Sequence, residues 1–112
     1  MKTARRMSVG EEPIHDSVCF HCQQCAEKYL KALLQEAGHS IPKIHDLDLL
    51  FSLVLPIHPE VKSLRSGLLL LTDYAVETRY PGFFATKRHA ASALRWAERV
   101  RVTCRKLLGL RT

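Results

Sequence analysis

A cation, a phenol and an imidazole fall around one chain break: Arg79 and Tyr80 precede Pro81-Gly82, and His89 follows after a short loop. Such a trio has a chemistry. The imidazole can move a proton, while the guanidinium stabilises negative charge that develops beside it. A plainer reading stands beside it. Arg79 can neutralise the C-terminal dipole of its own helix, Tyr80 can pack, and His89 can bond a carbonyl.

The run Cys19-Phe20-His21-Cys22-Gln23-Gln24-Cys25 resembles a set of metal ligands at first sight. On one helix, however, Cys19 and Cys25 are separated by about 9 Å along the axis, too far to close a tetrahedron. Cys22 and Cys25 also fall at core positions, so they are read as small buried hydrophobes. We expect neither metal, disulfide nor other cofactor.

Towards the C-terminus, Arg88, Arg95, Arg99 and Lys106 are spaced by 7, 4 and 7 residues. A helix brings them within about 40° of one another. That is a basic stripe opposite the core, able to track phosphates or simply to face solvent. His89 falls on the inward side of the same helix.

These residues must be held by helices, because no segment alternates with the period of a strand. A short piece, Thr3 to Val9, is closed by Gly10. Asp16, with Ser17 beside it, is the expected N-cap of a long helix ending at Gly38, its inner face carrying Val18, Cys22, Cys25, Ala26, Tyr29, Leu33 and Ala37. Asp46 should cap a short helix stopped by Pro56 and Pro59. Val61 to Thr78 reads as another long helix, with Leu69 and Leu70 widening its apolar face beyond Leu64, Leu68, Leu71 and Ala75. Thr86 should cap the last, whose inner arc is Ala90, Ala93, Leu94, Ala97, Val100, Cys104 and Leu107, with Gly109 as its stop. The expected fold is all-α: an antiparallel up-and-down bundle of four to five helices with a short first helix, one domain over residues 1–112.

With 46% hydrophobic and 25% charged residues, the 112-residue chain lies far from the composition of disordered proteins. No apolar run is long enough to span a bilayer. The basic start, Lys2, Arg5 and Arg6, lacks the apolar region of a secretory signal, so a cytoplasmic home is expected. A formal charge of +6 favours an anionic partner.

Three segments in order, CFHCQQCAEKYLKALL, then IHDL at Ile44 to Leu47, then DYAVETRYPG at Asp73 to Gly82, resemble the HEPN domain family in its QQAAEK, HDL and TRYP pattern. The likeness covers most of the chain. It implies a helical bundle that dimerises, and a place beside a minimal nucleotidyltransferase; several relatives are RNases that serve as toxins. Residue by residue, the glutamine helix maps onto Gln23, Gln24, Glu27 and Lys28, and the TRYP segment onto Arg79, Tyr80 and Pro81. His89 is not carried by the pattern, since RNase-type relatives place their histidine closer behind the arginine, whereas nine residues intervene here.

Three functions therefore remain open. The first is a nucleotide- or RNA-binding subunit of a nucleotidyltransferase pair, of the toxin-antitoxin kind, with Lys28, Lys31, Arg79, Tyr80, Arg88, Arg95 and Arg99 contacting phosphate. A metal-independent endoribonuclease using Arg79 and His89 is the second. The third is an interaction protein that dimerises through Leu68 to Leu71 and Phe83-Phe84.

Overall fold

The computed structural model describes residues 12–77 and 86–110, and within them the chain is an all-helical bundle. Four α-helices, α1 (Glu12–Glu36), α2 (Leu47–Val54), α3 (Arg65–Glu77) and α4 (Lys87–Leu107), are joined by one 3₁₀ turn, Pro59–Leu64, that runs into α3. The expected helix at Thr3 to Val9 lies outside the described residues.

Helix α1 begins at Glu12, four residues before the expected cap, so Asp16 lies inside the helix. Proline explains the difference. Pro13 has no N–H to leave unpaired and a φ already suited to a first turn, so it outcompetes the Asp-Ser signal downstream. At the other end Gly38 (φ 85°) supplies a left-handed turn: its N–H donates to the Gln35 carbonyl and that of His39 to Leu34, both at 3.0 Å. Gly109 (φ 76°) closes α4 in the same way, donating to Lys106 at 3.1 Å while Leu110 donates to Arg105 at 2.8 Å. Both are Schellman caps.

Asp46 caps α2 as expected, its carboxylate accepting from the backbone of Asp48 at 2.9 Å and Leu49 at 3.2 Å. The helix expected from Val61 instead starts as the 3₁₀ turn, where a period of three puts Val61 and Leu64 on one buried face.

Packing centres on α1, which meets α4, α3 and α2. Its buried face holds Val18, Cys19, Cys22, Ala26, Leu30, Leu33 and Leu34. The expected arc was rotated from this one: Cys25 and Tyr29 are only half-buried and Ala37 is exposed. The true arc centres on Leu30, Leu33 and Leu34, because α1 must cover three neighbours and not one. Against it α4 presents Ala90, Ala93, Ala97 and Val100, small side chains that let the two backbones approach. Leu68 and Leu71 are wholly buried, so they form core and not the docking patch anticipated for them; Leu69 alone of that run is exposed. Phe83 and Phe84 lie outside the described residues.

Where α3 crosses α4, Gly67 is buried beneath the Trp96 ring: a Cβ placed there would lie 2.0 Å from Trp96 Cε3. The crossing requires glycine. None of the described helices is long and apolar enough to cross a membrane.

Candidate functional site

The glutamine helix and the His-Asp segment meet at one buried carboxylate. On α1, Gln23 and Glu27 are one turn apart and both buried. Glu27 Oε2 accepts from Lys31 Nζ at 3.3 Å and lies 2.9 Å from His45 Nδ1. Gln23 Nε2 donates to the carbonyl of His45 at 3.4 Å, and Gln24 Nε2 donates to Gln23 Oε1 at 2.7 Å. His45 directly precedes Asp46, the cap of α2. The cluster therefore clamps the start of α2 onto the middle of α1.

Electrostatics favour this arrangement. A buried carboxylate is costly unless charged or hydrogen-bonding groups surround it, and Glu27 has a lysine and an imidazole at one oxygen. Its other oxygen, Oε1, is buried without a hydrogen-bond partner among the described residues. Lys31, counted from sequence among phosphate-binding residues, is instead held by Glu27 in an i,i+4 ion pair.

At the start of α4 the structure assigns His89 a local role. The Thr86 hydroxyl accepts from the His89 N–H, and the Thr86 N–H donates to His89 Nδ1, each at 3.2 Å. This is a capping box with histidine in the position usually taken by glutamate or glutamine. An Nδ1 that accepts carries no proton of its own, so this nitrogen is already engaged and is not free to act as a base. The imidazole also packs on the Tyr74 ring, centroids 5.1 Å apart and tilted by 39°. Among the described residues the phenol that meets His89 is that of Tyr74, which the sequence does not single out. Arg79 and Tyr80, the other members of the expected trio, lie outside the described residues.

The basic stripe is present on α4. Arg88, Arg95, Arg99 and Lys106 are all exposed, and they span about 27 Å at the helical rise. None of the ion pairs among the described residues takes any of them: Glu98 pairs with Arg101 at 3.1 Å, and Asp48 with Arg65 at 3.8 Å. The Arg99 guanidinium lies 4.5 Å from the Trp96 ring centroid, which fixes one cation of the stripe by a cation–π contact. Lys28 stands apart from this stripe, lining a groove on α1 with Cys25, Tyr29, Ala32, Leu108 and Leu110.

All four cysteines are free thiols. Burial pushes Cys19, Cys22 and Cys104 up to about 12, leaving their thiols inert. Among the described residues no three His, Cys, Asp or Glu side chains are grouped as a metal ion would require.

The geometry thus separates two things that the sequence merges: a signature that clamps helices together, and a cationic face without carboxylate partners among the described residues. Searches of curated proteins and of solved structures find no match for the chain. The family model described as HEPN domain matches residues 1–107, so the chain, in its residues and in its all-helical fold, belongs to the HEPN domain family.

Proposed function

We propose that this HEPN domain is the nucleotide- or RNA-binding subunit beside a minimal nucleotidyltransferase, and that it binds phosphates along α4. The observation that carries the reading is the exposed stripe Arg88, Arg95, Arg99 and Lys106, whose members have no carboxylate partners among the described residues. Cations left without carboxylates along one helix face suit a polyanion, and Arg99, braced on Trp96, loses little freedom on binding. Family membership supports a nucleotide- or RNA-related role. The partner enzyme, the toxin-antitoxin setting, the homodimer and the cytoplasmic home rest on the resemblance in the three motifs, as do Arg79 and Tyr80 as further phosphate contacts.

In this reading the chain binds and its partner performs transfer. A nuclease would have to work through the Nε2 side of His89, because Nδ1 accepts from the Thr86 N–H.

The test is anisotropy of a labelled single-stranded RNA over a salt series. Four phosphate contacts give a log–log slope of about −3. Arg95→Ala and Arg99→Ala should each weaken binding and flatten that slope by about 0.7. An unchanged slope in both variants removes α4 as the phosphate track.

A further inference from the structure

Between α1 and the end of α4 lies an open groove of about 400 Å³ lined by Cys25, Lys28, Tyr29, Ala32, Leu108 and Leu110. Its floor is one lateral face of α1, the i, i+3, i+4, i+7 set, and its wall is the Schellman turn at Gly109. We propose that this groove docks an acidic amphipathic helix from a partner protein, apolar side chains entering between Tyr29 and Leu108 and a carboxylate meeting Lys28.

Three features select that occupant. The lining is almost wholly apolar and Leu110 is 49% exposed, so the groove offers area to hydrophobic side chains. Among the described residues its one charge is Lys28, exposed and outside the ion pairs seen among them. A polyanion such as RNA calls for several cations and little apolar surface, the pattern of α4 and the opposite of this one. Nor does a second copy suit it: in an isologous dimer the same patch meets itself, and the lining residues described hold no carboxylate to answer Lys28, in a chain already carrying +6. An acidic helix answers both the apolar lining and the cation. The proposal does not depend on phosphate binding by α4.

A direct test uses the full chain and two fluorescein-labelled helical peptides, one with leucines at i and i+4 flanked by glutamates, the other with lysine for every glutamate. Cys25 serves as a local reporter, being the half-buried thiol on the groove while the other three are fully buried. The acidic peptide should bind and slow N-ethylmaleimide modification of Cys25; the basic one should do neither. Lys28→Glu, on an exposed position, should weaken the acidic peptide by about tenfold and admit the basic one. Leu110→Ser should weaken the acidic peptide, and Arg99→Ala should leave it unchanged. Equal binding of the two peptides, or no response to Lys28→Glu, overturns the proposal. Cys25 protection by RNA alone, or by raising protein concentration without peptide, also overturns it, giving the groove to nucleic acid or to a second copy.

Discussion

Replacing Gly67 by alanine drives a methyl group into the atoms of the Trp96 ring. The new Cβ would lie 2.0 Å from Trp96 Cε3, 2.2 Å from Cδ2 and 2.8 Å from Cγ. Carbon atoms rest at about 3.5–4.0 Å, so a gap of about 1.5 Å must open between α3 and α4 or the indole must leave its place. Neither is easy. The contacting atoms belong to the rigid part of the side chain near its root, and Arg99 sits 4.5 Å from the same ring. Overpacking of this kind costs about 1–3 kcal/mol, while removing a helical glycine returns about 1 kcal/mol at most. The net is a loss of about 0–2 kcal/mol, or up to roughly 10 °C in Tm for a domain of this size. Denaturation followed by far-UV circular dichroism measures it, and the emission of Trp96, the only tryptophan, reports ring displacement. The decisive control is the double-mutant cycle with Trp96→Ala. Once the ring is gone, Gly67→Ala should stabilise by up to about 1 kcal/mol, so the two sites couple by about 2 kcal/mol. A Gly67→Ala variant more stable than the parent with Trp96 in place would refute the helix crossing described above.

Other perturbations probe the clamp, the cap and the thiols. Glu27→Ala and Glu27→Leu should each cost about 1–2 kcal/mol, because both take the carboxylate from Lys31 and His45, a loss below that for a fully buried pair since those two groups can turn to water; unchanged stability in both by urea titration contradicts this account of the clamp. His89→Ala should lower stability by about 1 kcal/mol through loss of its half of the capping box, yet leave RNA affinity intact; cleavage of end-labelled RNA in EDTA by the wild type, abolished in this variant, would restore the nuclease reading. At mildly alkaline pH, N-ethylmaleimide should modify Cys25 in the native chain and reach Cys19, Cys22 and Cys104 only after denaturation, as counted by mass spectrometry. Those three thiols hold their protons more tightly when folded, from an ordinary value of 9.0 to about 12. Stability should therefore be complete below pH 9 and fall as pH rises through the native values, by about 1.4 kcal/mol per unit for each thiol; a flat profile across that window removes burial as the cause.

What the sequence made legible divides by the range of the interaction. Gly38, Gly109, Asp46 and Thr86 act on backbone within a few residues, and each ends or starts a helix where its type predicts. Asp16 failed because a second local signal, Pro13, lay just upstream and suits a first turn better. Cys25 and Tyr29 were placed in the core because a helical wheel gives spacing but not the direction in which three neighbours will pack. Gly67 against Trp96 was illegible in principle: 29 residues separate a side chain from the space it fills.

The same distinction governs the motifs. Gln23, Glu27 and His45 were noticed for their order in the chain, and that order invited a functional reading of the lysines near them. In the fold they turn on one another: Glu27 is buried and takes Lys31 and His45, while Gln23 takes the His45 carbonyl. Residues bound to each other in this way set where α2 begins relative to α1 and have little left for a ligand. Ligand-binding capacity is better sought where polar groups have no internal partner. Among the exposed groups of the described residues that criterion selects the cations of α4, and Lys28 on its apolar groove; the clamp's own unpartnered atom, Glu27 Oε1, is buried and closed to a ligand. A motif that identifies a family by its architecture can thus point away from the surface on which the individual protein acts. Variants of Glu27 and of Arg95 should accordingly separate: the first should change stability more than RNA affinity, and the second the reverse.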